Sequence, residues 1–177
     1  NSAKAAHRQN LSSIRSGEYE EMKNKIKDAD WIPDYGKKFH TKAGVIAIGA
    51  REFLIAYNIN INTNDKRIAT DIALDIREAG RAKRNNKGQI IRDIKGKIIK
   101  IPGKLKNCKA VGWYLEEYKT TQVSINLTNY KKTSIFKVFE EVRMQARKRG
   151  VRVTGSEIVG LVPKQAMIDT GKYYLQK

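Results

Sequence analysis

The sequence predicts an α+β sandwich, a four-stranded antiparallel sheet with helices on one face. Three observations lead there. Residues 53–61 and 121–128 alternate apolar with polar side chains, the period of a half-buried strand. Residues 65–79 and 135–146 instead place apolar side chains three and four apart, along one face of a helix. The segments follow one another as β-α-β-β-α-β with one further helix, and this order is the split βαβ, ferredoxin-like arrangement.

Taken in order, the first 31 residues are polar and partly helical, with Leu11 and Ile14 on one side, Gly17 as a break, and Met22 and Ile26 four apart within Glu18 to Lys27. Trp31 to Gly36 carries turn chemistry, since Pro33 pre-sets φ and Gly36 accepts positive φ. Phe53 to Ile61 is rich in β-branched and aromatic residues and reads as the first strand. Thr63 is the expected cap of the first long helix, with Ile68, Ala69, Ile72, Ala73 and Ile76 buried and Gly80 at its C-terminal end. Ala110–Glu117 and Thr121–Thr128 are two strands close enough to pair as a hairpin. Thr133 is the expected cap of the next helix, which ends at Gly150 after burying Ile135, Val138, Phe139, Val142 and Ala146. Val151 to Thr154 is the fourth strand, and Pro163 opens a terminal helix in its first turn. The chain begins Asn1-Ser2-Ala3-Lys4 and ends on Tyr173 to Lys177 without an evident cap, so both ends are expected to be cut from something longer.

Because strand side chains alternate, one row of each strand must face away from the helices. That row gathers Asn58, Asn60, Gln122, Ser124 and Asn126. Tyr114 is expected to join it, with Val111, Trp113 and Leu115 turned toward the helices. Asparagine is disfavoured in strands, so two on one face ask for a reason. A solvated face is one; a wall that hydrogen-bonds a neutral heterocycle or a partner domain is the other.

Composition narrows the function classes. A chain of 177 residues suits about one domain or one and a half. Its single cysteine, Cys108, excludes a disulfide framework or a cysteine-based zinc site, and His7 and His40 are too few for a rich metal site. No signal peptide or membrane-length apolar run is visible. There is no G-x-S-x-G, phosphate-loop or dinucleotide fingerprint. The formal charge of +18 is the unusual number. Eleven Lys or Arg and one acid, Asp93, fall between Arg81 and Lys109. Lys87-Gly88 and Lys95-Gly96 look like turn tips of a small β-hairpin, and no internal repeat of short period is visible. Such a basic loop on this fold invites comparison with single-strand RNA readers. Those readers carry aromatics on the open face, where this sequence has amides and hydroxyls, so nucleic acid is disfavoured. A small polycarboxylate is the other anionic candidate.

Longer strings carry a resemblance. Gly44-Val45-Ile46-Ala47-Ile48-Gly49-Ala50-Arg51-Glu52-Phe53-Leu54-Ile55-Ala56-Tyr57-Asn58 resembles the opening of the carboxyl-terminal subdomain in the glutamate formimidoyltransferase (formiminotransferase) family. Ile76-Arg77-Glu78 with Gly80-Arg81 resembles the end of that family's helix; Val111 to Glu117 and Gln122 to Leu127 resemble its hairpin. Val153 to Pro163 resembles its last strand and turn, and Trp31 to Gly36 the segment joining its subdomains. The resemblance implies transfer of a formimidoyl group between N-formimidoyl-glutamate and tetrahydrofolate, in cytoplasmic histidine degradation, by a homodimer that needs no metal. Folate, including polyglutamylated folate, would lie between two α/β subdomains. Residues 1–42 would be the end of the amino-terminal subdomain and the linker, and residues 43–177 the carboxyl-terminal subdomain. The family's general acid/base is a histidine in the amino-terminal subdomain, whose context neither His7 nor His40 shares, so no catalytic residue is assigned and the chain alone is expected to be inactive. The family's folate-facing stretch maps onto Pro33, Asp34, Tyr35, Gly36 and Phe39, although Lys37-Lys38 is more basic than usual there. Arg51, Asn58, Asn60, Tyr114, Ser124, Asn126 and Ser156 complete the candidate folate or substrate site. The alternatives are a non-catalytic folate-binding subdomain and a basic RNA-binding module.

Overall fold

The computed structural model describes residues 5–36 and 38–177. The expectations for Asn1 to Lys4 and Lys37 lie outside those residues. The chain divides into two compact units, Asn1–Glu52 and Phe53–Lys177, and each is taken by itself.

The first unit is built from short pieces. Helix α1 spans Leu11–Ile14, with the Asn10 side chain accepting from the Ser12 N–H, and α2 spans Glu18–Lys25. Gly17, at φ +83°, sits between them. Its left-handed backbone lets the chain reverse, as a break in the helical pattern requires. Lys25 ties the two helices together, donating to the carbonyls of Ser13, Ile14 and Ser16.

The second unit has strands β1 (Ile55–Ile61), β4 (Cys108–Leu115), β5 (Thr120–Leu127) and β6 (Val153–Val159), in the spatial order β4-β5-β1-β6. Every neighbouring pair is antiparallel. Helices α3 (Lys66–Ile76) and α4 (Ile135–Arg147) lie on one face, and α5 (Lys164–Leu175) packs beside α4. This is the α+β, ferredoxin-like split sandwich that the element order predicts. The core lies between sheet and helices: Ile55, Ile59 and Ile61 from β1, Val123, Ile125 and Leu127 from β5, Ile72 and Ile76 from α3, Val138 and Val142 from α4.

Several local expectations are corrected. Asp65, not Thr63, caps α3 by accepting from the Arg67 N–H at 2.9 Å, while the Thr63 hydroxyl accepts from the Asp65 N–H. Helix α3 ends at Ile76, not Ala79, and Gly80 serves another purpose. A β-carbon there would collide with the Ile101 carbonyl, so glycine is what lets the two ends of the basic segment meet. Ser134 precedes α4, because the Thr133 hydroxyl is spent on the Lys106 carbonyl at 2.6 Å. The fourth strand runs to Val159, well beyond Thr154, and Pro163 is the residue before α5, not part of its first turn.

The basic segment is neither a simple hairpin nor without repeat. Its base is the pair β2 (Arg81–Ala82) and β3 (Lys100–Ile101). Beyond it the sequence Arg84-Asn85-Asn86-Lys87-Gly88-Gln89-Ile90-Ile91 recurs as Arg92-Asp93-Ile94-Lys95-Gly96-Lys97-Ile98-Ile99. The structure repeats with it. Asn85 Oδ1 accepts from the N–H groups of Lys87 and Gln89, and Asp93 Oδ1 from those of Lys95 and Lys97. Arg84 donates to the Gly88 carbonyl and Arg92 to that of Gly96. Lys83, Ile91 and Ile99, eight residues apart, close a ring in which Lys83 N–H donates to Ile99, Ile99 to Ile91 and Ile91 to Lys83. The segment is thus a short coil of Asx-type turns whose polar side chains hold the backbone where no core does.

Candidate functional site

The uncovered face of the second unit's sheet is a polar network. Register places Asn58 beside Ser124 on β5 and Glu157 on β6, and Asn60 beside Gln122 and Gly155. Trp113 stands opposite Gln122 on the other side. The Trp113 indole N–H donates to Gln122 Oε1 at 2.7 Å, and Gln122 Nε2 donates to Asn60 Oδ1 at 2.8 Å and to Glu157 Oε1 at 3.0 Å. Asn58 Nδ2 donates to the same Glu157 oxygen at 3.0 Å. Gln122 is 2 % exposed and Asn58 8 %, whereas the Trp113 side of the wall is open, at 44 %. Fixed amides below and an accessible indole face beside them suit a flat ligand that both donates and accepts hydrogen bonds.

Of the expected wall, Asn58, Asn60, Gln122, Ser124 and Asn126 share this face. Tyr114 does not. It pairs with Thr121 in the row that faces the helices, while Val111 and Trp113 pair with Ser124 and Gln122 on the open side. The reason is Gly112. A β-carbon there would meet the α3 backbone, 2.6 Å from Thr70 Cα and nearer still to Thr70 N and Ala69 C. Helix α3 lies so close to β4 that only Cys108, Ala110 and Gly112 fit beneath it, and the larger apolar side chains of that strand point outward. Ser156 is also on the helix side, opposite Ile59. It hydrogen-bonds Tyr57, whose phenol is pushed up by burial, an effect the Ser156 bond partly opposes. Both line a depression of about 470 Å³ with Phe136, Phe139, Met167 and Tyr174. Trp113 and Glu157 are the wall residues that sequence reasoning missed. The signal for Trp113 was the small-residue row Cys108, Ala110, Gly112, and for Glu157 its place two residues after Gly155.

The other candidates belong to the first unit. Pro33 to Gly36 follow a segment that Arg8 straps down, donating to the carbonyls of Asp30 and Ile32 and lying 3.5 Å from the Asp34 carboxylate. Tyr35 is 88 % exposed, and Phe39 packs its ring 5.4 Å from that of Tyr19, which donates to the Thr41 carbonyl. Arg51 is exposed near the unit's end. Both histidines already serve the backbone. His7 Nε2 lies 2.6 Å from the Asp30 carbonyl with its ring edge-on to Trp31, and His40 Nδ1 accepts from the N–H groups of Lys42 and Ala43. Among the described residues no cluster of three or more His, Cys, Asp and Glu is placed to hold a metal ion, and no helix is long and apolar enough to cross a membrane.

The family model described as the formiminotransferase domain matches residues 56–177, and that of its N-terminal subdomain matches residues 1–51. The chain belongs to the formiminotransferase domain family. Among its relatives, the glutamate formimidoyltransferase of Streptococcus pyogenes is 42 % identical over 176 residues, 99 % of this chain and 52 % of the relative. That of Thermoplasma acidophilum is 41 % identical over 176 residues, 98 % of this chain and 51 % of the relative. The formimidoyltransferase-cyclodeaminase of Dictyostelium discoideum is 43 % identical over 173 residues, 97 % of this chain and 29 % of the relative. The chain therefore spans about half the length of the formimidoyltransferases it matches and less of the fused enzyme. The formiminotransferase domain model begins at Ala56, inside β1, so the polar wall belongs wholly to it.

Proposed function

We propose that the protein to which this chain belongs transfers a formimidoyl group between N-formimidoyl-glutamate and tetrahydrofolate, in histidine degradation, and that residues 1–177 supply recognition, not the proton donor. The observation that carries this is the amide wall with its indole platform, in a chain whose family and relatives bear the name of that transfer. Transfer passes through a tetrahedral carbon bearing nitrogens, so protons must move between amines, and a positioned acid/base is needed. His7 and His40 each engage a backbone group, which leaves neither as a natural candidate. The wall's contribution is orientation: Asn58, Asn60, Ser124 and Asn126 hold the folate ring while the carbon changes partner. In the first unit, taken by itself, Pro33, Asp34, Tyr35, Gly36, Phe39 and Arg51 are the candidate folate contacts. Tetrahydrofolate is the co-substrate, with no metal required, and the whole protein works as a cytoplasmic homodimer.

The test is turnover. The full natural protein is expected to form formimidoyl-tetrahydrofolate from N-formimidoyl-glutamate and tetrahydrofolate, and the 177-residue chain to show none. Turnover by the chain alone refutes the division of labour. No turnover by the full protein refutes the transfer reading, and folate binding that persists there would favour a purely recognising domain.

A further inference from the structure

Glu157 is the feature of the wall that a neutral heterocycle does not explain. The chain has 36 Lys and Arg against 18 Asp and Glu. Among the described residues, however, no cation pairs with this carboxylate. Its partners are two neutral amides, and both, Asn58 Nδ2 and Gln122 Nε2, donate to Oε1. A carboxylate accepts about four hydrogen bonds, two per oxygen. The network therefore fills Oε1 and, among the described residues, leaves Oε2 of this exposed side chain without a hydrogen bond. Holding Oε1 uses the two most buried amides of the face, which is more organisation than a solvated carboxylate needs.

We infer that Glu157 is a specificity-determining residue that accepts hydrogen bonds from an amidine edge, an N–C–N unit carrying N–H donors. The inference rests on the transfer reading, because both substrates there carry this unit. In the folate it is the 2-amino group with the neighbouring ring N–H; in N-formimidoyl-glutamate it is the formimidoyl group itself. Charge-assisted bonds of this type are about twice as strong as neutral ones. They also discriminate sharply, since a ligand without the donors leaves the acceptor unpaired. Trp113, tied edge-on to Gln122, offers its face to the flat part of the same ligand.

The experiment measures binding by equilibrium dialysis to the full natural protein and to Glu157→Gln, which keeps size and the Oε1 acceptor but removes charge. Probes are folic acid, its 2-desamino analogue, and formamidine. Circular dichroism and thermal melting confirm that the variant folds, as expected for an exposed side chain. If the carboxylate reads the folate, Glu157→Gln weakens folic acid by about tenfold or more and leaves the 2-desamino analogue unchanged. If it reads the formimidoyl group, the variant loses formamidine and keeps folic acid. Unchanged binding of all three probes overturns the inference while the transfer reading stands. Formamidine binding that depends on Glu157 in a protein that binds no folate overturns the transfer reading and leaves the amidine site. A wild-type protein that binds no probe refutes both.

Discussion

Gly112 and Gly155 offer a paired test of which face of the sheet is which. Both are glycines inside strands of one sheet, and from sequence either change to alanine looks mild or even favourable, since alanine loses less backbone entropy on folding. The structure separates them. A β-carbon on Gly112 lies 2.6 Å from Thr70 Cα, where ordinary carbon–carbon contact needs about 3.5 Å. Helix α3 must therefore recede by about 1 Å or the strand must bend. Backbone cannot swing aside as a side chain would, and the helix carries Ala69, Ile72, Ala73 and Ile76 into the core. Overpacking of this kind costs about 1–3 kcal/mol. The entropic gain returns about 0.5 kcal/mol. The expected loss is about 1.5 kcal/mol, out of the roughly 5–15 kcal/mol of a typical domain. At Gly155 the same β-carbon meets nothing nearer than Asn60 Nδ2 at 3.9 Å. There the expected change is within about 0.5 kcal/mol of zero. Urea denaturation of both variants at constant m-value measures the difference. Equal stabilities for the two variants would refute the assignment of β4's small residues to the helix side, and with it the outward placement of Trp113.

Three further outcomes follow from local chemistry. Burial, with a smaller contribution from the Glu78 charge, pushes the Cys108 thiol up to about 12, so a thiol reagent at pH 8 should label it only as fast as the domain opens; rapid labelling of folded protein would contradict this. Burial alone would raise the Glu140 carboxyl, but hydrogen bonds from Lys177 and Tyr174 and the charges of Arg143 and Lys177 outweigh it and hold the group below its ordinary 4.5. A depressed carboxylate contributes stability that is complete above its unfolded value and lost as pH falls through the folded one. The acid limb of the melting curve should therefore flatten in Glu140→Gln, and an unaltered limb counts against the cluster. In the basic coil, Asn85→Ala with Asp93→Ala removes the acceptors of four backbone N–H groups. Trypsin should then cut between Lys83 and Lys100 much faster while the global denaturation midpoint hardly moves; a large drop in midpoint would mean that the coil is part of the core after all.

What the sequence shows and hides follows from how strongly each pattern is constrained. Strands β1 and β5 are legible because one row must be apolar and the other amide-rich, and that contrast survives any rearrangement of neighbours. Strand β4 is deceptive for a physical reason. Where a helix backbone presses on a sheet, the buried row shrinks to Cys108, Ala110 and Gly112, and the hydrophobic row lies on the outside. Hydrophobicity alone then assigns Tyr114 and Trp113 to the wrong faces. The true caps lie one or two residues beyond Thr63 and Thr133 because each of those hydroxyls has a competing backbone partner nearby. The eight-residue repeat is masked in the sequence because its chemistry resides in Asn85 and Asp93, different residues that perform the same turn. Glu157 lay in plain view but had no partner by sequence separation; its 99-residue span to Asn58 becomes contact only through the strand order.

That strand order also separates charge from recognition. The basic coil from Lys83 to Ile99 leaves the fold between α3 and β4 and is held together by its own turns. The amide wall is built from β1, β4, β5 and β6, and the ionic group that its buried amides hold, Glu157, is an anion. Cations on an exposed coil act through a field that physiological salt screens within about 8 Å. Hydrogen bonds to amides held in a sheet act at contact and are screened far less. An anionic substrate would therefore feel the +18 mainly as a faster, salt-sensitive approach. Its discrimination from near relatives would rest on Asn58, Gln122 and Glu157, and change little with ionic strength. Net charge read from composition thus speaks to how a ligand arrives, and the face of four strands to which ligand stays.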